Sequence, residues 1–155
     1  GERMKTTTQT MDFRVVLPSR PEVRAWFMAD WSVRFTSRGI RRGRTIKPDW
    51  DKMLGLVVIV LNEAKETVGM VLFEEFNPSE VFVHTALRTF GSRTDHAFVT
   101  AIQKARQWAY EGFYYAFSTG NRSAYRLMQR CGLLADSVAL KPDWATVPWV
   151  FGSFT

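Results

Sequence analysis

Cysteine is almost absent from this chain of 155 residues, where Cys131 stands alone. A lone thiol can neither close an internal disulfide nor supply a cysteine-based zinc cluster. Histidine is nearly as scarce: His84 and His96 by themselves do not make a ligand set, so no metal is expected. Long apolar runs are missing too. The longest, over residues 54–61, is interrupted by Gly55 and falls well short of the roughly 20 residues a spanning helix needs. No charged-then-apolar leader with a small-residue cleavage site is seen, and no internal repeat or low-complexity segment. The expectation is a soluble protein of a reducing, cytoplasmic compartment, without contact to a membrane.

What remains is an ordinary globular composition, with 46% hydrophobic and 23% charged residues. A chain of this length forms one domain and buries roughly 70% of its unfolded surface. Residues 1–10 are polar, hold three consecutive threonines and lack periodicity, so they are expected to be a flexible tail ahead of a single domain over 11–155.

The formal net charge of +6 is concentrated in one place. Between residues 34 and 52, Arg34, Arg38, Arg41, Arg42, Arg44, Lys47 and Lys52 face only Asp49 and Asp51, and Gly39 and Gly43 make the stretch a loop. Such a loop attracts anions: non-specific nucleic acid, an acidic protein or an anionic cofactor. No aromatic residues alternate with the charges as in a stacking platform, and no zinc-finger or RNA-binding strand motif accompanies them. Sequence-specific recognition of nucleic acid is therefore not expected.

Periodicity gives the order of elements. Phe13, Val15 and Leu17 alternate in a first strand, and Ser19, Pro21 and Glu22 open a helix that runs to about Ser37. A short helix over 49–53 precedes a buried strand at 56–61, a turn, a returning strand at 67–73 and a strand at 81–87. From 95 to 111 the three-and-four spacing of Ala97, Phe98, Ala101, Ile102, Ala105 and Trp108 predicts a helix closed by Gly112. A short aromatic strand at 113–117 follows, then a helix capped by Asn121 and ended by Gly132, then strands at 133–140 and 149–154. The strand–helix–strand unit from 81 to 117 is a crossover with two parallel strands, and such units favour a ligand at the helix N-terminus. The fold class is α/β (α+β): a mixed, mostly antiparallel twisted sheet of about seven strands with flanking helices around that parallel unit.

Two stretches resemble a known family. The run Asn121, Ala124, Leu127, Arg130, Gly132, Leu133 resembles the asparagine-to-glycine helix of the GNAT superfamily, the Gcn5-related acyl-CoA N-acyltransferases. Met128 stands where that pattern has a tyrosine. Upstream, Arg88, Phe90, Gly91, Ser92 and Arg93 resemble the family's pyrophosphate loop, with Arg93 in place of its last small residue. The element order is also the family's. The resemblance implies acetyl-CoA or another acyl-CoA as donor, its pantetheine arm along strand 81–87 up to Leu87. Its pyrophosphate would lie on backbone donors from Phe90 to Thr94, with Arg88 and Asn121 as further contacts. Arg93 would either clamp a phosphate oxygen or obstruct the cradle. Tyr125, one turn before Met128, is the substitute for the tyrosine that protonates the departing thiolate. Glu74, Glu75, Glu80 and His84 are the candidate bases for the acceptor amine, and Glu75 and His84 are favoured.

Two functions follow. The first is an acyl-CoA-dependent N-acyltransferase acting on an amine of a protein or small molecule. The second is a GNAT-fold binding or structural protein without catalysis, with its basic loop on nucleic acid or a protein partner. Divergent proteins of this type with eroded phosphate loops occur among tailed bacteriophages, and in that case the chain would be virion-associated.

Overall fold

The computed structural model describes residues 12–17, 20–37, 39–41, 49–61, 64–87 and 92–155. Apolar runs of period two become strands, and three-and-four runs become helices. In order these are β1 (Asp12–Val15), α1 (Pro21–Ser37), a 3-10 turn (Trp50–Lys52), β2 (Met53–Leu61), β3 (Thr67–Asn77), β4 (Glu80–Leu87), α2 (Ser92–Gln107), β5 (Gly112–Ser118), α3 (Arg122–Arg130), β6 (Val138–Leu140) and β7 (Trp149–Phe154). The strands form one mixed, mostly antiparallel sheet in the order β1-β2-β3-β4-β5-β7-β6. β4 and β5 run parallel, because α2 carries the chain back across the sheet between them. The expected tail at 1–10 and most of the basic stretch lie outside the described residues. Among the described residues no helix is long and apolar enough to cross a membrane.

Strand alternation sorts the side chains to two faces. Val71, Phe73, Val81, Val83, Phe113, Tyr115 and Phe117 share one face with the apolar stripe of α2 and with Leu127 and Met128 of α3. Met70, Leu72 and Ala86 share the other with Val23 and Phe27 of α1. Phe27, Phe73, Phe98 and Phe113 are wholly buried, so each face is anchored by aromatic rings whose truncation to alanine costs about 3–5 kcal/mol.

Among the boundaries that differ from those the sequence predicts, two have a clear local cause. α2 stops at Gln107, and the residue that reverses the chain is Ala109 at φ 72, not Gly112. The Ala109 amide donates to the Arg106 carbonyl at 2.9 Å and the Tyr110 amide to that of Ala105 at 3.3 Å, the paired bonds of a Schellman cap. Gly112 instead begins β5, where a Cβ would stand 2.8 Å from an oxygen of Glu80. A left-handed alanine carries about 1–2 kcal/mol of strain. Ala109→Gly is expected to release part of it and raise stability by about 0.5–1 kcal/mol, read as a higher urea midpoint with an unchanged slope.

The second difference is the predicted strand over 133–140, of which only Val138–Leu140 pairs. Gly132, at φ 71, turns the chain and the Leu133 amide caps α3 by donating to Met128 at 2.9 Å. Leu133 and Leu134 then fold back onto the core, and the Ser137 amide closes a turn on Leu134 at 3.1 Å. Their hydrophobicity serves the cap and the core, not a ladder.

Candidate active site

The seam between β4 and β5 is short. Glu80 pairs with Gly112, Val81 with Phe113 and Phe82 with Tyr114, and among the described residues the ladder goes no further although the strands run on to Leu87 and Ser118. Its closed end is clamped. The Tyr114 hydroxyl donates to Glu80 at 2.8 Å and Asn77 donates to the same carboxylate at 2.6 Å, while the amides of Glu111 and Gly112 both donate to the Ser79 carbonyl. The bonds from Asn77 and then Tyr114 hold the Glu80 carboxyl below its ordinary value, and the same carboxylate pushes the Tyr114 hydroxyl up.

Beyond the clamp the strands part around a cavity of about 70 Å³. Strand parity divides its lining. Phe82, His84, Ala116, Ser118 and Trp149 belong to the α1 face of the sheet; Val83, Phe98, Tyr115, Phe117, Leu127 and Met128 belong to the face covered by α2 and α3. The slot therefore passes between the strands and has two chemically different ends.

The polar groups of the wall are few and tethered. Asn121 caps α3, its side-chain oxygen accepting from the Ala124 amide at 3.1 Å. The Tyr115 hydroxyl donates to the Leu133 carbonyl at 2.6 Å, and burial pushes its pKa up. Ser118 is buried and accepts from the Gly120 amide at 3.0 Å. His84, also buried, lies edge-on to Phe27 and against Phe82, with Nε2 2.7 Å from Glu74 Oε1. That hydrogen bond, aided by the charge of His84, an Asp49 backbone bond and the charge of Lys52 and opposed by burial, holds the Glu74 carboxyl below its ordinary 4.5. An ionised carboxylate only accepts, so Nε2 of His84 carries a hydrogen.

A pH dependence follows from the depressed Glu74. Its contribution to stability is complete above about 4.5 and is lost as pH falls through its lower folded-state value. Glu74→Gln is expected to remove that part of the acid limb when unfolding midpoints are compared between pH 6 and pH 3.

Of the favoured bases, His84 lines the cleft and Glu75 does not: Glu75 is exposed on the other face, and Glu74 takes the place beside His84. The cause is a register shift between Glu75 and Asn77. Asn77 pairs with Glu80, but Glu75 pairs with Val81, so Phe76 is an extra residue that exchanges the faces of everything before it. Tyr125 is 46% exposed and outside the lining, whereas Met128 is buried within it. Leu87 is buried at the end of β4, Ser92 and Arg93 open α2, and Thr94 follows half-buried in its first turn. Arg88, Phe90 and Gly91 lie outside the described residues. Phe82, Ser118 and Trp149 are wall residues that spacing does not single out; the last two are register partners across β5 and β7. Among the described residues no cluster of His, Cys, Asp or Glu could hold a metal ion.

One end of the basic stretch is fixed beside this wall. Ile40 bridges to Ala145, the Arg41 amide donates to Trp144 at 2.8 Å, and the Gly39 carbonyl accepts from the Thr146 amide at 3.0 Å and the Trp149 indole at 3.2 Å. Gly39 is at φ 108, and a Cβ there would stand 2.7 Å from Val147 and 2.8 Å from the Ser118 hydroxyl, so no other residue fits.

No protein-family model matches the sequence, and no curated protein matches it. Solved structures do. A Salmonella typhimurium protein assigned as an acetyltransferase and solved with its cofactor acetyl-CoA is 13% identical, with a TM-score of 0.66 over 94% of each chain. The ribosomal-protein-S5-alanine acetyltransferase of Vibrio fischeri is 13% identical, with a TM-score of 0.60 over 93% of this chain and 92% of that one. The spermidine/spermine N-acetyltransferase of Vibrio cholerae, in mutant forms, is 11% identical, with a TM-score of 0.60 over 96% and 94%. Identities this low speak to architecture alone: over nearly its whole length the chain has the fold of these acetyltransferases.

Proposed function

We propose that the chain binds an acyl-CoA and transfers its acyl group, acetyl in the simplest case, to an amine nitrogen. The observation that carries this reading is the divergence of β4 from β5 after three residue pairs, which opens a narrow slot between two parallel strands. The slot fits a slim, amide-bearing arm better than a bulky ligand. Its backbone edge along β4 offers peptide groups for such an arm, and Asn121 stands on its wall at the start of α3. α2 begins at Ser92, a few residues beyond the end of β4, and the unpaired amides of a helix N-terminus suit a pyrophosphate. Arg88, Phe90, Gly91, Ser92, Arg93 and Thr94 would hold it there, with Leu87 at the entrance. Acyl-CoA supplies a thioester already activated toward an amine. The chain's own task is to orient the amine and accept its proton, and His84, held by Glu74, is suited to that.

A second reading is favoured by Met128. It lines the cleft and has no transferable proton, and Tyr125 is turned outward. On that reading the fold binds a partner without turning over, and the basic stretch makes salt-dependent contacts with nucleic acid or an acidic protein. Titration with acetyl-CoA separates the two. Binding at 100 times the dissociation constant stabilises by about 2.7 kcal/mol in a thermal-shift experiment. Binding with release of free thiol on addition of amines supports transfer; binding without release supports the second reading; no binding refutes the first.

A further inference from the structure

We infer that Met128 sets a ceiling on the length of the acyl group: the donor is a short-chain acyl-CoA, acetyl or propionyl, and the methionine excludes longer chains. This rests on the acyl-CoA reading and adds the class of donor. Met128 thereby has a task in place of the proton transfer it cannot perform.

The cavity sits at the inner end of the slot. Its described β4 lining is Phe82, Val83, His84 and Thr85, and Phe82 belongs to the last pair of the ladder, with Tyr114. At about 3.3 Å per residue, β4 runs roughly 17 Å from Phe82 on to Leu87, beyond which α2 begins. An arm anchored by its pyrophosphate at the start of α2 and laid along β4 would bring its far end, the thioester, toward the seam. What the cavity would hold is then the acyl group.

Size sets the first limit. An apolar cavity of about 150 Å³ takes up a benzene ring, which has six heavy atoms. At about 70 Å³ this one takes about half as much, on the order of three heavy atoms, which is an acetyl group. Each methylene beyond that needs a wall to yield.

The walls differ in how far they can yield. With the amine on the His84 side, an alkyl tail turns toward the side of α2 and α3, where the lining is Val83, Phe98, Tyr115, Phe117, Leu127 and Met128, each at most 6% exposed. Three of these are held rings. Tyr115 is tied to the Leu133 carbonyl at 2.6 Å and stacked on Phe117 with ring centroids 5.9 Å apart, and Phe98 packs against Phe154 at 6.3 Å. Val83 and Leu127 are branched and short. Met128 alone is straight, with three rotatable bonds and a polarizable thioether that adapts its shape to what lies against it. Its backbone is fixed, because its carbonyl accepts from the Leu133 amide at 2.9 Å at the end of α3. The side chain is enclosed as well, so its flexibility accommodates one further methylene and not a chain of six carbons.

The test uses the full chain with free CoA and its acetyl, propionyl, butyryl and hexanoyl thioesters, each titrated by calorimetry. Failure of all of them to bind would overturn this inference together with the acyl-CoA reading. With binding present, acetyl- and propionyl-CoA are expected to bind at least as tightly as free CoA, and hexanoyl-CoA about tenfold or more weakly than acetyl-CoA. Met128→Ala removes three heavy atoms from the wall. Each methylene admitted in their place is worth about fourfold, so hexanoyl-CoA should become the tighter ligand by about tenfold or more. Methionine-methyl NMR reads the contact without affinity or turnover: of the six methionine signals, the one lost in Met128→Ala should move more with acetyl-CoA than with free CoA. Equal affinity across the wild-type series, an unchanged ranking in Met128→Ala, or a Met128 signal indifferent to the acyl group each overturns the inference while leaving acyl transfer standing. Should Met128→Ala fail to fold, Met128→Val, which removes one heavy atom and assigns the same signal, is expected to favour butyryl- over acetyl-CoA by about fourfold more than the wild type does. It then decides, together with the wild-type series.

Discussion

His84→Gln is expected to lower kcat for amine acylation by about a hundred- to ten-thousandfold, the range found when a positioned general base is removed. Acetyl-CoA binding should survive, because on the proposed reading the donor enters from the face covered by α2 and α3. The expectation rests on the tautomer that Glu74 imposes. Its ionised carboxylate accepts the hydrogen on Nε2 at 2.7 Å, so on the acyl-transfer reading Nδ1, enclosed in the wall, is the ring atom that would exchange a proton with the amine. Glu74→Gln acts through His84 and is a positioning change. The amide can donate as well as accept, which relaxes the choice of tautomer, and the pH profile of kcat should shift while KM for acetyl-CoA holds. A His84→Gln variant that folds, binds acetyl-CoA and turns over at the wild-type rate would show the imidazole to be a strut between β3 and β4, and the base would have to be sought elsewhere.

Gly152→Ala is expected to be among the most damaging single methyl additions at the described glycines. A Cβ at that position would stand 2.2 Å from the Tyr115 hydroxyl oxygen and 2.3 Å from the ring carbon that bears it. The ring cannot stay. Displacing it breaks its hydrogen bond to the Leu133 carbonyl at 2.6 Å and its stacking on Phe117 at 5.9 Å. Overpacking and a part-buried acceptor left without its donor together cost about 2–4 kcal/mol, which for a chain of this size is roughly 2–4 °C of Tm per kcal/mol. Tyr115→Phe should not relieve the clash, since the ring carbon remains. Tyr115→Ala should, so the cost of Gly152→Ala is expected to fall close to zero in that background. Additive costs in the double variant would contradict this account.

Much of the architecture was legible because it is local. The bounds of β7 and the asparagine cap and glycine stop of α3 depend on neighbours in the chain, and the spacing of apolar residues reports them directly. The misplaced end of α2 has another origin. A glycine was available at 112 and none at 109, yet the seam with Glu80 requires the missing Cβ at 112, so the cap fell to Ala109. The exchange of Glu75 for Glu74 turns on one bulged residue, Phe76, and a bulge has no signature in hydrophobic alternation. Trp149 and Ser118 become wall residues through pairing across 31 positions of sequence, beyond the reach of any local pattern.

The short β4–β5 seam also bears on how the molecule breathes. On either side of it lie antiparallel ladders: β1-β2-β3-β4 on one side and β5-β7-β6 on the other. Among the described residues they are joined by three residue pairs with the clamp at Glu80, by the packing of α2 and α3, and by the bridge from residues 39–41 to 144–149. Widening the slot costs no ladder bond beyond that seam, so an opening that admits ligand need not disturb either half. In amide-exchange terms the two halves are separate protected blocks, and the amides along the parting strands belong to the opening that precedes global unfolding. A molecule that fills the slot would fuse the blocks into one, tightening residues on β6 and β2 that it never touches.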